Sequence, residues 1–129
     1  MGNTTRLCTA QVVGGSHPTL QRRQIATVAQ VVNGLAERRR VALLGDLRRR
    51  PSAAPLDQLY SARYPGGGGH FLEVDGRRGC RCGEATTEGG GKRDYVFLSA
   101  LHFRSPAGHV VTDGTRSDHR MLRGGVWER

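Results

Sequence analysis

Residues 115–119 read T-R-S-D-H, and the last two set a carboxylate beside an imidazole, Asp118 and His119, ahead of the apolar run 121–127. Two further acids stand at the edges of apolar stretches: Asp46 closes V-A-L-L-G-D, and Asp94 opens D-Y-V-F-L. An imidazole moves protons near neutral pH, and carboxylate oxygens are hard ligands that suit a divalent cation. Such a set fits chemistry on a phosphate ester, where a cation offsets phosphoryl charge and a histidine handles a proton. Each residue also has a plainer reading: His119 as a surface histidine after a turn, Asp94 as a solvated acid at a strand edge, Asp46 as a turn or helix-capping aspartate.

The flanking pattern has to bring these side chains together. Residues 6–13 alternate loosely and predict a strand. Gly14, Gly15 and Pro18 interrupt it, and then Ile25, Val28, Ala29, Val32 and Leu35 recur at helical spacing, with Thr19 as the expected N-cap and cations near the end. Residues 41–44 form an unbroken apolar run, as in a strand covered on both faces. Strand, helix, strand within about forty residues is a crossover unit and favours an α/β fold. Asp46 then falls at the carboxyl end of a buried strand, where ligand-facing residues collect.

Further on, residues 51–60 predict a short helix with Pro55 in its first turn and Leu56, Leu59 and Tyr60 inward. Residues 66–69, four glycines, read as a flexible loop, and no Lys-Ser pair follows them to make a nucleotide P-loop. Strands are expected at 71–74 and 94–99, joined by one long connection of the kind that is often functional or disordered. Residues 109–112 predict an edge strand, Asp113-Gly114 a turn, and Val126-Trp127 the closing strand, with Trp127 packed in the core or at the sheet edge.

At 129 residues the chain has room for one modest core. Its formal charge of +9 comes from 20 basic and 11 acidic residues, and Lys92 is the only lysine. Guanidinium groups pair well with phosphate oxygens, which favours a polyanionic partner; a coding bias toward arginine explains the same count. Aromatic residues make up 5%, few for a base-stacking platform. No window approaches the roughly 18–20 apolar residues of a membrane span. The first residues lack the layout of a secretory signal, so either the protein stays inside the cell or its natural start lies upstream. Cys8, Cys80 and Cys82 are an odd set: all free, or Cys8 bridged to one of the other two.

Three segments in order, G-D at 45–46, K-x-D-Y-V-F at 92–97 and S-D-H at 117–119, resemble the endonuclease/exonuclease/phosphatase superfamily, as does the Q-R-R-Q-I helix before G-D. The resemblance implies the deoxyribonuclease-I-like fold, a β-sandwich flanked by helices. Residues 1–129 would be the C-terminal portion of a single such domain, about half its length. By resemblance, His119 is the general acid/base, Asp94 its orienting carboxylate, Asp46 the residue that positions water or protonates the leaving group, and Asp118 a ligand of Mg²⁺ or Mn²⁺. Thr86 matches a phosphate-contacting position in the long loop. Two departures stand out. Arg48 replaces an asparagine next to the nucleophile; at about 5–6 Å from a dication it would be repelled by roughly 5–7 kcal/mol at an effective dielectric near 20, which turns it toward phosphate or solvent or weakens the metal site. Gln11 stands where a histidine helps hold the phosphate.

The expected function is therefore metal-dependent hydrolysis of a phosphodiester or phosphomonoester, nucleic acid among the candidates. The rivals are a catalytically inactive, arginine-rich remnant that binds nucleic acid or another polyanion, and a basic structural module whose S-D-H is accidental. The absent half would leave a sheet edge or face open to self-association.

Overall fold

In a computed structural model, residues 4–112 and 116–129 are described. Strand β1 (Thr5–Gln11), helix α1 (Pro18–Ala36) and strand β2 (Arg40–Asp46) form a crossover unit, with β1 and β2 parallel. Strand β3 (Phe71–Glu73) and strand β4 (Asp94–Ser99) complete a sheet of order β1-β2-β4-β3, in which β4 runs antiparallel to both neighbours. Strands β5 (Phe103–Val111) and β6 (Met121–Glu128) pair as a separate two-stranded ribbon.

The period-two alternation of β2 and β4 builds two cores. Val41, Leu43, Tyr95 and Phe97 point to the α1 side, where they pack with Ile25, Ala29, Val32, Leu56 and Tyr60. Ala42, Leu44, Val96 and Leu98 point to the ribbon side and meet Phe103, Leu122 and Val126. The result is a mixed α/β arrangement with a helix on one face of the main sheet and a ribbon on the other, and the continuous apolar run at 41–44 reflects burial on both faces. Gly45 is required where β1 and β2 touch, because a Cβ there would stand 1.8 Å from the Ala10 carbonyl oxygen. No helix among the described residues is long and apolar enough to cross a membrane.

Several expectations change in detail. The helix starts two residues earlier than a Thr19 cap implies: His17 occupies the cap without a side-chain bond and Pro18 follows it, because proline's fixed φ suits a first helical position. The expected helix at 51–60 is a 3-10 turn over Ala54–Gln58, with Leu56, Leu59 and Tyr60 buried as predicted. The glycines at 66–69 are not a loose tether; a Cβ at Gly67 or Gly69 would meet the backbone of residues 58–61 at 2.1–2.2 Å, so glycine permits close packing. Trp127 lies 69% exposed on the ribbon, outside both cores. Cys80 and Cys82 are bonded to each other and Cys8 is free, so neither expected cysteine arrangement holds. The turn expected at Asp113-Gly114 lies outside the described residues.

Candidate active site

The geometry begins with strand register. Gln11 on β1 is paired with Asp46 on β2, which is paired with Asp94 on β4, so three polar residues share one rung at the end of the sheet. By the same alternation that sends Ala42, Leu44, Val96 and Leu98 to the ribbon side, Asp46 and Asp94 face that side too, beyond its apolar part. The segment entering β6 then delivers His119. Its Nδ1 lies 2.8 Å from Asp94 Oδ2, and its Nε2 lies 3.8 Å from Asp46 Oδ2. The first distance is a direct hydrogen bond; the second is too long for one, so Nε2 and the Asp46 oxygen can both meet a third atom beside them but not between them. The three side chains are 31%, 24% and 10% exposed for His119, Asp94 and Asp46, so the cluster is reachable from solvent yet held by its surroundings.

The long connection before β4, far from disordered, supports this cluster. Thr86 is fully buried, and its hydroxyl accepts the backbone N–H groups of Arg93 and Asp94 at 2.9 and 3.1 Å. Its side chain therefore sits behind Asp94 as a brace, away from the surface a phosphate would reach. Thr87 forms a β-bridge with His119, Arg120 donates its N–H to the Thr86 carbonyl at 2.7 Å, and Glu88 donates to the Asp118 carbonyl at 2.9 Å. The Thr-Thr pair thus fixes both members of the Asp94–His119 hydrogen bond. The role of Thr87 escaped the sequence reading; its only signal was a second threonine in a glycine-rich loop.

Arg81 pins the same connection from its far end. It pairs with Asp57, donates to the carbonyls of Pro51, Ala53 and Pro65, and lies 4.7 Å over the Tyr60 ring. Nearby, Lys92 is buried with two acids, its Nζ 3.2 Å from Glu73 Oε1 and 3.5 Å from Asp75 Oδ2. These are close ion pairs without aligned hydrogen bonds. Burial pushes the Glu73 carboxyl up to about 7, against the pull of Lys92.

Arg48, expected beside a dication to turn toward phosphate or solvent or to weaken the metal site, stands against Asp46. It adopts a left-handed backbone, φ 54°, donates its N–H to Asp46 Oδ1 at 3.0 Å and brings Nε within 3.3 Å of Asp46 Oδ2. The Asp46 carboxylate is the opposite charge that Arg48 meets. Asp118 is exposed, and Gln11 is exposed on the edge strand next to Asp46.

One ligand atom from each of Asp46, Asp94 and His119 falls within 4.8 Å of the others, a group that can hold a metal ion. The donor chemistry, two hard carboxylates and an imidazole, fits a divalent cation. Asp118 is outside that group.

No family model matches the sequence, and no curated protein matches it. Among solved structures, the catalytic domain of human Nocturnin with a bound sulfate anion superposes with a TM-score of 0.71 at 12% identity, over 94% of this chain and 46% of that chain. The likeness carries the fold, which is deoxyribonuclease-I-like, and this chain spans less than half the length of that neighbour.

Proposed function

We propose that the chain carries the hydrolytic end of a metal-dependent phosphoesterase, and the observation that supports this most is the 2.8 Å contact between His119 Nδ1 and Asp94 Oδ2 beside Asp46. A histidine whose Nδ1 is bonded to a carboxylate presents Nε2 outward in a fixed tautomer, ready to give or take a proton at a phosphoryl oxygen. Asp46 lies opposite that nitrogen and is placed to orient a water for in-line attack or to protonate the leaving oxygen. Gln11, one strand away, can donate a hydrogen bond to a phosphate oxygen, and Thr86 holds Asp94 in place. A divalent cation, Mg²⁺ or Mn²⁺, would be held by carboxylate oxygen from Asp46, with Asp118 a further candidate, and would offset charge on the phosphoryl oxygens. The bound sulfate of human Nocturnin, an anion shaped like phosphate, agrees with a phosphate-ester substrate.

Hydrolysis of a generic phosphodiester in the presence of Mg²⁺ should fall at least about a hundredfold in His119→Ala. Undiminished turnover in that variant removes the role assigned to His119.

A second reading rests on Arg48. Its guanidinium stands against the carboxylate a cation would need, at 3.3 Å, so the site can be an inactive remnant that binds polyanions through arginine. Under it the chain binds nucleic acid with a steep loss of affinity as salt rises and shows no turnover at any Mg²⁺ concentration. Strand β1 is an edge of the main sheet and leaves Leu7 70% exposed, a place for a further strand or a second copy to add.

A further inference from the structure

Beside the rung of acids, on the far side of Arg48, lies a cleft of about 510 Å³ lined by Arg48, Arg49, Arg50, Ser52, Lys92 and Arg93 among others. That volume is within the range of small-molecule sites. No acidic residue among the described residues lines it. The charge of Lys92 is met by Glu73 and Asp75, and that of Arg48 by Asp46. Arg49, Arg50 and Arg93 have no carboxylate partner among the described residues.

Like charges gathered on one concave wall repel one another, and for Arg49, Arg50 and Arg93 no described carboxylate offsets this. Arg49 adds a second signal. One of its terminal nitrogens donates to the Pro18 carbonyl at 3.2 Å, which fixes the side chain, yet its Nε is buried with no acceptor. The buried Nε is out of a ligand's reach, but a guanidinium held at the cleft wall beside other arginines favours an anion there.

Arg48 forms the wall between the cleft and Asp46, and Arg93 is the chain neighbour of Asp94, so the cleft adjoins the hydrolytic cluster. We infer that the cleft seats a second phosphate group of the substrate, bound by Arg49, Arg50 and Arg93 while the phosphate to be cleaved stands at Asp46, Asp94 and His119. The link to a substrate rests on the hydrolytic reading above; the anion site itself does not. The substrate class is then a compound with two phosphates a short spacer apart, either a small bisphosphorylated nucleoside or successive phosphates of a strand.

The test is calorimetric binding to the whole chain, read without turnover. Adenosine 3′,5′-bisphosphate should bind at least about tenfold tighter than adenosine 5′-monophosphate, as expected of charge-assisted contacts to an added phosphate. Arg50→Gln with Arg93→Gln, both exposed and so safe for folding, should erase that preference. Arg22→Gln with Arg23→Gln, two exposed helix positions remote in sequence, should keep it. Equal affinity for the two nucleotides, failure to bind either, or equal loss in both double variants would overturn the inference and leave only bulk charge. Competition by a short oligothymidylate at lower concentration than the bisphosphate identifies a strand as the source; the reverse identifies the small molecule. A preference that survives while His119→Ala turns over normally sinks the hydrolytic reading alone; a missing preference with a dead His119→Ala sinks the cleft alone.

Discussion

Two clusters in this molecule have the same parts, a pair of carboxylates and one basic side chain, and opposite surroundings. Glu73, Asp75 and Lys92 are sealed, with side chains 0–3% exposed. Asp46, Asp94 and His119 stand 10–31% exposed at the end of the sheet. The segment 92–94 supplies one member to each. Lys92 goes into the core and Asp94 to the surface two residues later, so the buried cluster anchors the strand that presents the open one. Burial decides which set can do chemistry: the sealed charges hold each other, while the open ones keep an imidazole nitrogen and carboxylate oxygens for a ligand.

The largest expected effect breaks the sealed cluster. Lys92→Met leaves two acids facing each other without a cation and should cost about 3–5 kcal/mol, read as a lower urea midpoint. Next comes pH. The Glu73 carboxyl is raised from an ordinary 4.5 to about 7 by burial, so the folded state holds its proton more tightly than the unfolded chain. Its stabilising contribution is complete below about pH 4.5 and is lost as pH rises to about 7, by of order 3 kcal/mol. Thermal melts should show this fall between pH 4.5 and 7, and Glu73→Gln should flatten it; a wild-type melt that rises over the same window contradicts the assignment.

A smaller effect links the two regions. Thr86→Val removes the acceptor for two backbone N–H groups and should cost about 1–3 kcal/mol. It should also loosen Asp94, visible as a changed imidazole resonance of His119. The least effect on folding is expected at the open cluster itself: His119→Ala should shift stability by less than about 1 kcal/mol, because a partly exposed side chain gives up little on removal.

The sequence carried the frame of the open cluster well. The unbroken apolar run at 41–44 and the strong β preference of 95–98 placed Asp46 and Asp94 at strand ends, and S-D-H marked the third partner. It could not show that Gln11, Asp46 and Asp94 share a rung, since register between strands distant in sequence depends on the folded crossover. The sealed cluster was hidden for a different reason. Glu73 lies in a short strand and Asp75 and Lys92 at the ends of a glycine-rich stretch, with no periodicity to tell a buried acid from a solvated one. Trp127 misled in the other direction, because an apolar side chain on a two-stranded ribbon has one covered face available and this one takes the open face. The Arg48 contact with Asp46 likewise depends on a left-handed backbone that no residue type other than glycine or asparagine announces.

The most direct test puts both clusters in one assay: Mg²⁺-dependent hydrolysis of a phosphodiester by wild type, His119→Ala and Glu73→Gln. The account predicts that turnover falls at least about a hundredfold in His119→Ala and stays within about threefold of wild type in Glu73→Gln. Equal activity in wild type and His119→Ala, or a collapse confined to Glu73→Gln in folded protein, would contradict it.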